Sequence, residues 1–108
     1  MYKLPAISLL TLVMASTGFA ANIESGKALS VQCSACHGKN GISKDPEAPN
    51  LAGQSALYLE KQLVDYKKGA RQDRRMSLIA GALTMEQIKD LSAYYAAFEI
   101  TATPPEIK

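Results

Sequence analysis

The chain has 108 residues, and its 12 lysines and arginines against 10 aspartates and glutamates leave a formal charge of only +2. This length suits one small domain, and the near-neutral charge excludes the basic footprint of a nucleic-acid-binding protein. No internal repeat and no low-complexity segment is present in the sequence.

Residues 1–20 have the pattern of a cleavable export signal. Lys3 gives a positive start, an apolar stretch follows, and small residues precede Ala20, after which we expect cleavage. The apolar stretch is short for an uncleaved membrane anchor. We therefore expect a signal peptide at 1–20 and one soluble domain at 21–108, exported to the periplasm without stable membrane insertion.

The first predicted helix begins after Asn22, whose side chain can accept from the free backbone N–H groups of the first turn. The helix runs toward Cys36, and Gly26 allows another helix to pack closely. Its apolar positions are Ile23, Leu29 and Val31.

This helix delivers the run Cys33-Ser34-Ala35-Cys36-His37, which contains both cysteines and the only histidine of the chain. The C-x-x-C-H spacing is typical of covalent attachment of c-type haem, in which the two thiols add to the haem vinyl groups. The adjacent imidazole then ligates the iron. The run therefore predicts one haem c.

Two other chemistries use similar residues. A C-x-x-C dithiol switch is expected in a βαβ setting, and this chain has almost no alternating β-branched runs. A structural zinc site takes four ligands, whereas only three cysteine or histidine residues exist here. Haem attachment is the interpretation that uses all three residues.

A Gly- and Pro-rich loop is predicted from Gly38 to Gly53, and a second helix from Ser55 to Gly69. The apolar residues of this helix recur on one face, at Leu59, Leu63 and Tyr66.

Basic residues gather near the end of this helix, at Lys67, Lys68, Arg71, Arg74 and Arg75. The usual explanation is a solvated face with charges that suit the helix dipole. Docking of an acidic partner or pairing with the haem propionates is the alternative.

The last predicted helix begins at Thr84, which forms a capping box with Gln87, and runs through Phe98 before Thr103-Pro104-Pro105. Its apolar stripe should pack on the first helix, with Tyr94, Tyr95 and Phe98 as core and haem wall. The predicted fold class is all-α.

The iron needs a sixth ligand or an open position. A second histidine is absent from the sequence, so bis-histidine ligation within the chain is excluded. Beyond the predicted signal, the methionines are Met76 and Met85. We favour Met76, since an irregular segment after Arg75 would let its thioether turn to the iron, whereas Met85 should pack in the first turn of the last helix.

Several short motifs follow one another along nearly all of residues 21–108. They are Cys33-Ser34-Ala35-Cys36-His37-Gly38, Pro49-Asn50-Leu51-Ala52-Gly53-Gln54, Tyr58-Leu59, Gln62-Leu63, Gly69-Ala70-Arg71, Met76 and Leu91-Ser92-Ala93-Tyr94-Tyr95. In this order they resemble the short bacterial class I c-type cytochromes, most closely cytochrome c553 and each half of the two-haem periplasmic cytochromes c. The resemblance implies a small class I cytochrome c fold, with helices wrapped around one covalently bound haem.

The resemblance also implies roles for individual residues. Cys33 and Cys36 would hold the haem, and His37 and Met76 would ligate its iron. The carbonyl of Pro49 would accept the imidazole N–H and so orient His37. Gln54 and Arg71 would approach the haem or its propionates.

A carrier of one electron, and not an enzyme, is the function that the resemblance implies. Its partners would be redox proteins that donate or accept electrons in transient complexes. Two alternatives stay open. One is a haem-bearing subunit of a periplasmic dehydrogenase or reductase, and the other is a catalytic or gas-binding haem protein in which Met76 does not bind the iron.

Overall fold

A computed structural model describes residues 1–3, 13 and 20–108, so most of the predicted signal peptide at 1–20 lies outside the described residues. The described part is all-helical and contains no strand, as predicted. No helix in it is long and apolar enough to cross a membrane. The helices are α1 (Ile23–Leu29), α2 (Val31–His37), α3 (Ala56–Lys68), α4 (Met76–Gly81) and α5 (Met85–Ala96).

The single helix predicted between Asn22 and Cys36 is in fact two helices, with a break at Ser30. The Ser30 hydroxyl donates to the carbonyl of Lys27 at 2.7 Å, a local bond that competes with helical backbone bonding. One continuous helical period therefore does not run through both helices. Of the three apolar positions named for the first helix, Leu29 packs on the core, whereas Ile23 and Val31 are exposed.

The boundaries of α3 agree with the prediction because both ends are specified locally. The Ser55 hydroxyl accepts from the backbone N–H of Tyr58, and Gly69 closes the helix with φ of 80°, a conformation that favours glycine.

The short helix α4 was not predicted, and Met76 is its first residue instead of lying on irregular backbone. One carboxylate oxygen of Asp73 accepts from the backbone N–H groups of Arg75 and Met76, each at 2.8 Å. In return, the Asp73 N–H donates to the Ser77 hydroxyl at 3.0 Å. These bonds satisfy the free donors of the first turn and begin a helix where Arg75 has no side-chain cap.

The capping box of Thr84 and Gln87 begins α5 as predicted, but the helix ends at Ala96 and does not reach Phe98. The carbonyl of Tyr95 accepts from the backbone N–H of Gly53 at 2.9 Å, and the Phe98 N–H closes a tighter turn onto the same carbonyl at 3.3 Å. The loop before α3 thus takes the acceptor that a further helical turn would use.

The core lies along α5, whose Ile88, Leu91 and Tyr95 are buried against Leu59 of α3 and Leu83. As predicted, α5 also packs on α1, and the two backbones are close at Gly26. A Cβ atom added to Gly26 would lie 2.1 Å from the carbonyl oxygen of Asp90. The side chain of Asp90 is buried and accepts from the Asn22 N–H at 2.7 Å, which fixes the start of α1 on α5.

Candidate haem site

One cavity of about 350 Å³ lies between the helices and brings the predicted site residues together. Its walls include all seven of them, Cys33, Cys36, His37, Pro49, Gln54, Arg71 and Met76. The remaining walls are mainly apolar side chains, among them Leu59, Leu63, Ile79, Leu83 and Leu91.

His37 closes α2 and is buried, and its ring is oriented by the loop that follows. Its Nδ1 atom lies 2.8 Å from the carbonyl oxygen of Pro49. Since a carbonyl can only accept, Nδ1 carries the hydrogen and donates it. The lone pair is then on Nε2, the nitrogen that is free to bind a metal.

The two cysteines stand one helical turn apart on α2. Burial raises the pKa of Cys33, whose sulfur lies beside the hydroxyl of Tyr95. The Sγ atom of Cys36 lies 3.7 Å from Nη1 of Arg75. Both sulfurs therefore face the same cavity from the same helix.

The two candidate methionines are in different surroundings. Met76 is partly buried and lines the cavity, while Met85 stands 45% exposed at the start of α5 and does not line it. Met85 is in the first turn of α5 as expected, but it is exposed and not packed among neighbours.

Gln54 and Arg71 reach the cavity wall, and each is also engaged by protein groups. The Gln54 side chain accepts from the Ser55 N–H at 2.9 Å. Nη1 of Arg71 donates to the side chain of Gln62 at 2.6 Å, and its guanidinium lies 4.7 Å from the centre of the Tyr66 ring.

Two members of the basic run form ion pairs within the chain. Arg75 pairs with Asp45 at 2.9 Å, and Arg74 pairs with Glu47 at 3.0 Å. The two carboxylates belong to the loop after His37, and sequence reasoning missed them. The sequence shows two adjacent basic residues at Arg74-Arg75 and two acidic ones in Asp45-Pro46-Glu47. Nothing in this charge pattern specifies that the two groups pair across 30 residues.

The residues of this cavity fit a covalently attached haem c. Two thiols and one oriented imidazole stand on α2, a thioether stands on the α4 wall, and apolar side chains line the space between them. Cysteine sulfur is the attachment chemistry of c-type haem, and imidazole with thioether is a ligand pair of its iron.

Comparison with known proteins points to the same group. The family model described as "Cytochrome c" matches residues 23–96. Cytochrome c4 of Pseudomonas aeruginosa is 39% identical over 98 residues, which cover 90% of this chain and 49% of that protein. Cytochrome c-554(548) of Halomonas halodenitrificans is 43% identical over 70 residues, covering 62% of this chain and 84% of that protein.

A third relative is a component of an enzyme. The cytochrome subunit of sulfide dehydrogenase from Chlorobaculum tepidum is 36% identical over 70 residues, covering 65% of this chain and 63% of the subunit.

The crystal structure of reduced recombinant cytochrome c4 from Pseudomonas stutzeri superposes with a TM-score of 0.69 at 34% identity, over 74% of this chain and 47% of that one. The chain thus spans about half the length of the cytochrome c4 relatives that it matches.

Proposed function

This chain belongs to the cytochrome c family, and on that basis we propose that it is a periplasmic carrier of one electron whose haem iron is ligated by His37 and Met76. The observation that carries the proposal is the cavity, in which one wall presents Cys33, Cys36 and the oriented His37 and another presents Met76. When bound, the haem supplies an iron that accepts and releases one electron.

The residues of the chain favour electron transfer over bond chemistry. His37 and Met76 would ligate the iron together, which would leave no position for a substrate and would raise the reduction potential. The Pro49 carbonyl holds the His37 ring in one tautomer, so His37 would offer Nε2 to the iron. The apolar side chains of the cavity would limit the access of water to the haem.

The ligand assignment is tested by replacing each methionine. Met76→Ala should abolish the methionine-to-iron charge-transfer band and allow the reduced protein to bind carbon monoxide. Met85→Ala is the matched control and should leave both spectra unchanged, because Met85 is outside the cavity. If the band survives Met76→Ala, or if the reduced wild-type protein binds carbon monoxide readily, the saturated His37/Met76 iron is excluded.

Export is the second part of the proposal. The positive start, apolar stretch and small residues of positions 1–20 support removal of a signal peptide. The intact mass of the periplasmic protein should equal residues 21–108 plus one haem. A mass that retains residues 1–20 would exclude cleavage.

A second candidate function is that of a haem subunit bound permanently to a dehydrogenase. It is favoured by the similarity to the cytochrome subunit of sulfide dehydrogenase. The two candidates differ in how the protein purifies. A free carrier should elute from a sizing column alone, whereas a subunit should elute with a larger protein at a fixed ratio.

A further inference from the structure

We propose that Arg75 is a positioning residue of the haem site, which holds the Met76 segment against the loop that follows His37. Its partners are Asp45 and Glu47, and the three residues together form what we term the ionic clasp. The inference rests on the proposed ligation by Met76 and adds to it a reason why Met76 stays in place.

The clasp has the geometry of a specific contact. Nη1 of Arg75 lies 2.9 Å from Oδ2 of Asp45, and Nη2 lies 3.6 Å from Oε2 of Glu47, so the two arms of the guanidinium reach two carboxylates. The side chains of Arg75 and Asp45 are only 34% and 29% exposed. A pair that is two-thirds shielded is less weakened by water and salt than an open surface pair.

On one side, the clasp is anchored to the helix that carries the attachment motif. The Ser43 hydroxyl lies within hydrogen-bonding distance of the Cys36 carbonyl at 2.9 Å and of the Asp45 carbonyl at 3.0 Å. The other carboxylate oxygen of Asp45 accepts from the Glu47 N–H at 2.9 Å. Asp45 is therefore a fixed acceptor in the loop after α2 and not a freely moving side chain.

On the other side, the clasp is continuous with the backbone of Met76. The N–H groups of Arg75 and Met76 both donate to the same carboxylate oxygen of Asp73. Residues that share one cap move together, so a force that holds the Arg75 side chain also holds the first turn of α4. Nη1 of Arg75 additionally lies 3.7 Å from the sulfur of Cys36, which puts the clasp at the cavity wall.

The neighbouring Arg74 offers a built-in comparison. It has the same charge and stands one residue away, and it pairs with Glu47 at 3.0 Å. However, the two side chains of that pair are 77% and 65% exposed. Exposed pairs contribute little, so Arg74 should not hold the segment.

The experiment compares the loaded protein with its Arg75→Gln, Asp45→Asn and double variants during unfolding by denaturant. The methionine-to-iron charge-transfer band reports the Met76 bond, and far-ultraviolet circular dichroism reports the helices. We expect each single variant to raise the equilibrium constant for loss of the band by roughly three- to tenfold, with a smaller change in helix unfolding. The double variant should lose no more than the larger single effect, since both changes break one contact.

Arg75→Lys should restore part of the effect because it keeps the charge but not the fork, and Arg74→Gln should leave the band unchanged. The clasp is overturned if Arg74→Gln acts like Arg75→Gln, if the single effects add, or if the band and the helices change equally. These results differ from failure of the proposed ligation, in which the band is absent from the wild-type protein or survives Met76→Ala. Absence or survival of the band would overturn both proposals.

Discussion

Tyr95 shows how one side chain can serve the core and the site together. It is 3% exposed, packs among Leu59, Ile88 and Leu91, and lines the cavity. Its hydroxyl lies beside the side chains of Cys33 and Ser30. Burial raises its pKa above the ordinary value of 10.0.

The raised pKa predicts a pH dependence of stability. Above pH 10 the unfolded chain releases the Tyr95 proton while the folded chain keeps it, so the free energy of unfolding falls as pH rises. Tyr95→Phe removes this contribution. At neutral pH, the free energy of unfolding of the wild-type protein should exceed that of Tyr95→Phe by roughly 1 kcal/mol. This difference should shrink by about 1 kcal/mol for each pH unit above 10.

Denaturant unfolding of both proteins between pH 8 and 11 measures this difference. A difference between the two proteins that stays constant across this range would mean that the Tyr95 hydroxyl is not shielded in the folded protein.

At the scale of the helices, the contact of α1 with α5 depends on the absence of a side chain at Gly26. The carbonyl of Asp90 occupies the space that a methyl group would need, and it belongs to rigid helical backbone. Gly26→Ala should therefore lower the free energy of unfolding by about 1–3 kcal/mol, because the helices must separate.

Gly81 provides the opposite case. It ends α4, a Cβ atom there would meet nothing within 4 Å, and its φ is not positive. Gly81→Ala should raise the free energy of unfolding by up to about 1 kcal/mol, since alanine loses less conformational entropy in a helix. Equal stability of the two alanine variants in denaturant titrations would contradict the close approach at Gly26.

The same helices show which parts of the fold the sequence can specify. The boundaries of α3 and the start of α5 were predictable because Ser55, Gly69 and the Thr84 and Gln87 pair act on their own turns. The start of α4 was missed because its capping group, Asp73, lies outside the helix and looks like any loop aspartate. The end of α5 was misplaced because its last acceptor bonds to Gly53, more than 40 residues away in sequence.

The candidate site divides in the same way. Cys33, Cys36 and His37 are contiguous, so their common location follows from local spacing. Pro49 was placed by resemblance and Met76 first by comparing the two methionines beyond the predicted signal, and the structure brings both to the cavity. The pairing of Arg75 with Asp45 depends on tertiary packing, and periodicity along one helix contains no information about it.

Over the whole molecule, the cavity is large compared with the core that surrounds it. Within the described part of the chain, the buried apolar side chains are Leu59, Ala80, Leu83, Ile88, Leu91 and Tyr95. Without a group that fills it, the apolar side chains that line this cavity of 350 Å³ would face water. Because few other apolar side chains are buried, we expect the fold to depend on the haem.

The haem-free chain should therefore fail to hold this structure. We expect the Cys33→Ser/Cys36→Ser variant, purified without haem, to show reduced helical circular dichroism and no cooperative thermal transition. Added haem should increase the helicity of this variant, because a ligand that binds only the folded state stabilises it. The haem-loaded Met76→Ala protein is the control, and it should keep a cooperative transition, since its cavity stays filled. A haem-free variant that unfolds as cooperatively as this control would contradict the expectation. In that case the side chains of α3, α4 and α5 would close the cavity by themselves, and the fold would not need the haem as part of its core.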